Sequence, residues 1–185
     1  VELRARFDEQ NNIQWAERLE EAGCTLIYGI EGYKVHSKIC LITRRDRGRV
    51  QCITQIGTGN YNEKTAKLYT DFCLMTASPA IGSDAAAFFQ VLSTGNLEGE
   101  YRLLLAAPHS LRPTLLSLMD GEIAKGSKGF LFLKMNSITD RVLIDKLALA
   151  SQAGVRVLMN VRGICCLRPG VPGLTDHIRV FSIVG

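Results

Sequence analysis

Hydrophobic residues recur along this chain with two periods, and the switches between them divide it into short elements. Val1-Glu2-Leu3 has the pattern of a strand end, with Arg4, Arg6 and Asp8 on alternate positions just past it. Residues 13–22 carry Ile13, Ala16, Leu19 and Ala22 at helical spacing, with Asn11 or Asn12 as the cap and Gly23 as the stop. Residues 24–28 predict a strand and 29–32 a turn. An apolar run with His36 and Lys38 leads into the polar tip Arg44-Arg45-Asp46-Arg47-Gly48-Arg49. A second apolar run, 50–56, leads back to Gly57-Thr58-Gly59-Asn60, so the two predict a hairpin turning near Asp46 and Arg47. A short helix over 62–68 and a strand over 70–76 follow. Pro79 breaks the pattern, and a helix covers 83–92.

The polar stretch 93–99 marks a boundary, after which the order repeats. Residues 103–106 predict a strand, 110–125 a helix entered through Pro113, and 130–135 a strand. A helix over 140–153 stops at Gly154, and a strand over 155–161 runs into Arg162-Gly163. A helix, the dipeptide Ala-Gly and a strand thus occur twice, at 22–23 and at 153–154. Alternating elements of these lengths predict an α/β fold with two lobes, 1–95 and 96–185, each a mixed β-sheet flanked by helices.

Composition narrows this reading. Of the 185 residues 46% are hydrophobic, enough for a real core, and no apolar run is long enough to span a membrane. No secretory signal opens the chain; it starts mid-pattern at Val1 and stops at Gly185 after an apolar run, as a piece of a longer protein would. The net charge of +4 suits an anionic ligand without marking a nucleic-acid groove. Six cysteines, mostly within apolar runs and with no CxxC pair, favour buried thiols in a reducing compartment over disulfides or zinc.

The hairpin concentrates the candidate chemistry. On a strand His36 and Lys38 share a face, and a turn near Asp46 and Arg47 sets His36 beside Gly57 and Thr58. A neutral imidazole is a nucleophile, and an ammonium attracts phosphate oxygens. Gly57 and Gly59 would let the backbone approach an anion, and Asn60 could orient the ring or bond a phosphate oxygen. Arg6 past a strand end is either a phosphate ligand or a salt-bridge partner of Asp8 or Glu9; Arg162 repeats its position in the second lobe, against a solvated role. Tyr69 as a half-buried tyrosine is the plainer alternative to a ligand contact. Asp71 could accept a proton or brace a ring. The tip arginines form a solvated turn that a polyanion could touch. His109 belongs to a helix-cap region, and His177 has no assigned role.

His36-Ser37-Lys38 followed by Gly57-Thr58-Gly59-Asn60 resembles one half of the phospholipase D superfamily motif, H-x-K then G-[ST]-x-N. That motif continues from its lysine through four residues to an aspartate, where this chain has Thr43. IGTGNYNEKTAKLYTDFCLMT, VELRARFDEQNNIQWAERLEEAG and VRGICCLRPGVPGLTDHIRVFSIVG together resemble the bacterial polyphosphate kinases, which also lack that aspartate. The resemblance covers nearly the whole chain. It implies two phospholipase D-like lobes, the first partial at its N-terminus and the second at its C-terminus. It also implies reversible transfer of the ATP γ-phosphate to inorganic polyphosphate through a phosphohistidine at His36, with Lys38 assisting.

By resemblance Arg6 lies at the phosphate and Mg²⁺ site without ligating the metal directly, and Tyr69 and Arg162 contact the nucleotide. ATP, ADP and polyphosphate are the implied partners, with no nucleic acid and a homo-oligomeric full-length form. The implied location is cytoplasmic, with peripheral attachment to the inner membrane left open. A second histidine, from an LEHxR-like string beyond Arg162, is absent here, so this piece alone is expected to turn over poorly. A phospholipase D-like phosphodiesterase or nuclease, and a non-catalytic polyanion-binding module, are the competing readings.

Overall fold

The computed structural model describes residues 9–184, which divide by contact into two units, 1–104 and 105–185. The expected strand end at 1–3, and Arg4, Arg6 and Asp8, lie outside the described residues.

In the first unit, α1 (Glu9–Glu21) begins four residues before the expected 13–22 and buries only Ala16. Ile13 and Leu19 stay exposed, and the Arg18 guanidinium sits 4.5 Å from the Trp15 ring centroid. The stop is as expected. Gly23 takes φ +82°, its N–H donates to the Glu20 carbonyl, and the Cys24 N–H reaches the Leu19 carbonyl. Residues 24–28 form no strand, contrary to the sequence expectation, because they join neither described sheet. A tight turn pairs Ile30 with Tyr33.

The hairpin is β1 (Lys38–Asp46) and β2 (Arg49–Gly57), with Asp46 opposite Arg49 and Lys38 opposite Gly57. The turn residues are Arg47 and Gly48, with φ of +47° and +79°, as a two-residue hairpin turn of type I′ requires. A short helix, α2 (Glu63–Ala66), is capped by the Asn62 side chain. Next, β3 (Cys73–Thr76) pairs antiparallel with β2 and is shorter than the expected 70–76. The sheet order is β1-β2-β3, antiparallel throughout. The sixteen-residue α3 (Pro79–Thr94) covers one face, and Gly82 lets it close on Cys52, whose Cβ would lie 2.5 Å from a side chain there. Pro79 therefore opens this helix instead of breaking the chain before it, since the first turn has no use for its missing N–H. Thr54 is fully buried in β2, and its hydroxyl has no hydrogen-bond partner.

Residues 103–106 form no strand. Asp84, buried in α3, accepts the N–H groups of Arg102, Leu103 and Leu104 at 2.7–3.2 Å, and those donors are lost to any ladder. Burial would raise this carboxyl's pKa, but the three backbone donors and the Arg102 charge outweigh it and hold the group below its usual value. The same bonds tie 102–104 to the first unit, so the compact units divide after Leu104 where the sequence suggested 95.

The second unit holds α4 (Leu111–Ile123), a single 3₁₀ turn (Gly126–Lys128), β4 (Phe130–Met135), α5 (Arg141–Gln152), β5 (Arg156–Val161) and β6 (Ile178–Phe181). Its sheet, β4-β5-β6, is parallel throughout, since a helix carries the chain back between β4 and β5. Thus α/β organisation with two sheets holds, while strand direction is uniform within each sheet. Asp140 caps α5, and Gly154 at φ +88° ends it with the same pair of backbone bonds as Gly23. The core here gathers Met119, Leu147, Val155, Val157, Met159 and Ile178.

Candidate functional site

In the first unit the chemistry collects at the open end of the hairpin. His36 precedes β1 instead of lying within it. The turn falls at Arg47 and Gly48, one residue later than expected, so the register extended beyond the ladder sets position 36 across from Gly59, not Gly57 and Thr58. Lys38 is buried at the strand's start and its Nζ donates to the His36 carbonyl at 2.5 Å.

Both His36 and Lys38 are shifted downward from their ordinary values. Burial lowers the His36 pKa, and the positive charges of Lys38 and Lys34 lower it further. Burial also lowers the Lys38 pKa; Asp71 pulls it upward and Lys34 lowers it again. Both effects disfavour the charged imidazole and so favour the neutral ring, the form with a nucleophilic lone pair.

Asp71 organises the glycine loop. Thr58 Oγ1 donates to Asp71 Oδ1 at 2.8 Å and accepts the Phe72 N–H at 3.0 Å. The Thr58 N–H is itself donated to the Phe72 carbonyl at 3.0 Å, which withdraws it from any ligand. Neither Gly57 nor Gly59 adopts a left-handed φ. Gly59 instead leaves room for the Asp71 side chain. A Cβ there would lie 2.3 Å from Asp71 Oδ2 and 2.5 Å from its Cγ. The space that a side chain would take at Gly59 is filled by the Asp71 carboxylate.

Asn60 is exposed and its carbonyl accepts the Asn62 N–H at 2.8 Å, while Asn62 Oδ1 accepts the Lys64 and Thr65 N–H groups. Tyr69 is half-buried, its N–H donated to the Thr65 carbonyl. Tyr61 donates to Gln55 Oε1, and Gln55 Nε2 reaches Cys73 Sγ at 3.0 Å. Sequence reasoning missed this chain of side chains, which joins the loop to β2 and β3 and has no periodic signature.

In the second unit Arg162 directly follows β5, at the carboxyl end of a parallel sheet, where ligands of open α/β sheets bind. Its Nε donates to Asn136 Oδ1 at 2.9 Å, and the Gly163 N–H donates to the Asn136 carbonyl at 2.7 Å. A Cβ on Gly163 would meet that carbonyl at 2.8 Å, so only glycine lets the loops after β4 and β5 lie this close. Among the described residues, no three His, Cys, Asp or Glu side chains gather to hold a metal, and no helix is long and apolar enough to cross a membrane.

The two units match two family models in chain order. The first, described as polyphosphate kinase C-terminal domain 1, covers residues 1–98; the second, polyphosphate kinase C-terminal domain 2, covers 104–185. The class is therefore an α/β pair of kinase C-terminal domains. Polyphosphate kinases of Halalkalibacterium halodurans and Staphylococcus haemolyticus are 52% and 48% identical to this chain, over 187 and 188 residues respectively. Each covers 100% of the chain, which spans 26% of each relative. The crystal structure of polyphosphate kinase from Porphyromonas gingivalis superposes with a TM-score of 0.83 at 38% identity, covering 100% of this chain and 31% of that one. The chain belongs to the polyphosphate kinase family and spans about a quarter of the length of the curated relatives it matches.

Proposed function

We propose that this chain carries the phosphoryl-accepting centre of a polyphosphate kinase, with His36 as the nucleophile. A ring nitrogen of neutral His36 attacks the γ-phosphorus of ATP, the bond from that phosphorus to the β,γ-bridging oxygen breaks, and ADP leaves. A terminal oxygen of a polyphosphate chain then attacks the same phosphorus, the P–N bond breaks, and the polymer is one phosphate longer. Run backward, the same steps make ATP from ADP. Splitting the transfer into two in-line displacements spares the protein from bringing two polyanions together in one step.

The observation that supports this reading is the placement of His36 in the unit that matches polyphosphate kinase C-terminal domain 1, at the open end of the hairpin, with Lys38 Nζ donating to its carbonyl at 2.5 Å. Lys38 offsets charge on the transferring phosphoryl group. Arg6, Tyr69, Arg162, Gly57, Gly59 and Asn60 are proposed to bind ATP and its phosphates, and Mg²⁺ to arrive on the phosphate oxygens of ATP. The described residues offer that ion no carboxylate cage, and no step is routed through it.

Incubating the intact protein with γ-labelled ATP should give an acid-labile label that maps to His36 and is lost in His36→Ala. Label on another residue, or undiminished label in His36→Ala, would reject the assignment.

A further inference from the structure

The turn of the hairpin carries charge that folding leaves unused. Residues 44–49 hold four arginines and one aspartate. Arg44 Nε donates to Gln51 Oε1 at 2.7 Å, but among the described residues no carboxylate pairs with Arg47 or Arg49. Arg47 is also the one non-glycine residue with a positive φ among the described residues, at +47°. Asparagine or glycine would sit in that turn position with less strain, so the backbone gives no reason for an arginine there. Both arginines line an open cleft of about 760 Å³ between the hairpin turn and the opening turns of α3. Cys52, Pro79 and Ser83 line it as well, and Asp46 is the one acid among the lining residues.

We propose that this cleft is a second polyphosphate-binding site, with Arg47 and Arg49 holding a long chain at a distance from the reacting phosphate. The choice of ligand rests on the reading in which polyphosphate is the substrate. A linear polyanion brings the negative charge that the turn lacks, and a guanidinium fork matches a pair of phosphate oxygens. The strand from Lys38 to Asp46 is nine residues long. At roughly 3.3 Å per residue the cleft therefore lies about 30 Å from the His36 end of the hairpin. A chain long enough to reach both is held at two points, which raises its effective concentration where the transfer occurs. A short chain touches one point at a time and gains nothing.

The test is equilibrium binding of tripolyphosphate and of long-chain polyphosphate to the intact protein, without ATP. Long chains should bind more tightly, and Arg47→Asn combined with Arg49→Gln should shrink that gain about tenfold, as loss of contacts between charged groups does. The same variant should flatten the salt dependence of long-chain binding. Asn-Gly is a favoured pair for this turn, so the hairpin is kept. Arg45→Gln removes one charge from the same strand end at a residue outside the cleft lining, and should leave the gain near its original size. Equal losses from Arg45→Gln and from Arg49→Gln alone would mean diffuse attraction and overturn the site. A single-stranded oligonucleotide of similar length binding as tightly as polyphosphate would overturn it too. If His36 takes no label from ATP but the chain-length effect holds, the catalytic reading falls and the cleft stands. If the label maps to His36 and the Arg47 and Arg49 substitutions leave the chain-length effect intact, the cleft alone is overturned.

Discussion

Replacing Gly59 by alanine tests the link between the glycine loop and Asp71. The backbone at 59 is not left-handed, so alanine brings no φ penalty. Its methyl carbon would lie 2.3 Å from Asp71 Oδ2, well inside contact distance. The carboxylate must swing away, and it is held by Thr58 Oγ1 at 2.8 Å. Breaking a hydrogen bond to a charged group costs about 1.5–3 kcal/mol, and the stiffer unfolded chain returns about 0.5–1 kcal/mol. The expected net loss is about 1–2 kcal/mol, read as a lowered denaturant midpoint at unchanged slope. Asp71→Ala removes the two closest atoms and leaves its own Cβ at 3.0 Å. In that background Gly59→Ala should cost almost nothing. A Gly59→Ala penalty of the same size with and without the Asp71 carboxylate would show that the loop needs glycine for some other reason.

Two further outcomes follow. Thr54→Val removes a buried hydroxyl without a partner and should stabilise the protein by about 1 kcal/mol in chemical denaturation; destabilisation would mean that the hydroxyl is bonded. Lys34→Gln deletes an exposed charge that lowers the His36 pKa. Because the imidazole is reactive above its pKa, raising that value moves the acid limb of phosphohistidine formation to higher pH. An unmoved limb, or one shifted to lower pH, would separate Lys34 from the histidine.

Legibility in the sequence followed the range of the forces involved. Helix stops at Gly23 and Gly154, the hairpin and the strand 130–135 depend on neighbouring residues, and the pattern carries them. Strand alternation drew attention to His36 and Lys38, although His36 precedes β1 and so lies outside the alternation, while Arg162 does directly follow a strand as expected. The misses are long-range. Leu103 to Ala106 has a strand's composition, but Asp84 on another element claims its donors. The turn position depends on which residues tolerate positive φ, and Arg47-Gly48 won over the more central Asp46-Arg47. Gly59 was legible as special, whereas its partner Asp71 lies twelve positions on with nothing local to join them.

The arginines at the hairpin tip have a consequence for behaviour in concentrated solution. Among the described residues β1 is the marginal strand of its three-stranded sheet, nine residues long, with backbone donors and acceptors along its outer side. A second molecule could add its own margin there and begin a stack. Arg44 and Arg45 on that strand, with Arg47 and Arg49 beyond it, would set like charges against like in any such antiparallel stack centred near the tip. Neutralising these arginines would remove that repulsion, and the expected first sign is turbidity in concentrated solution.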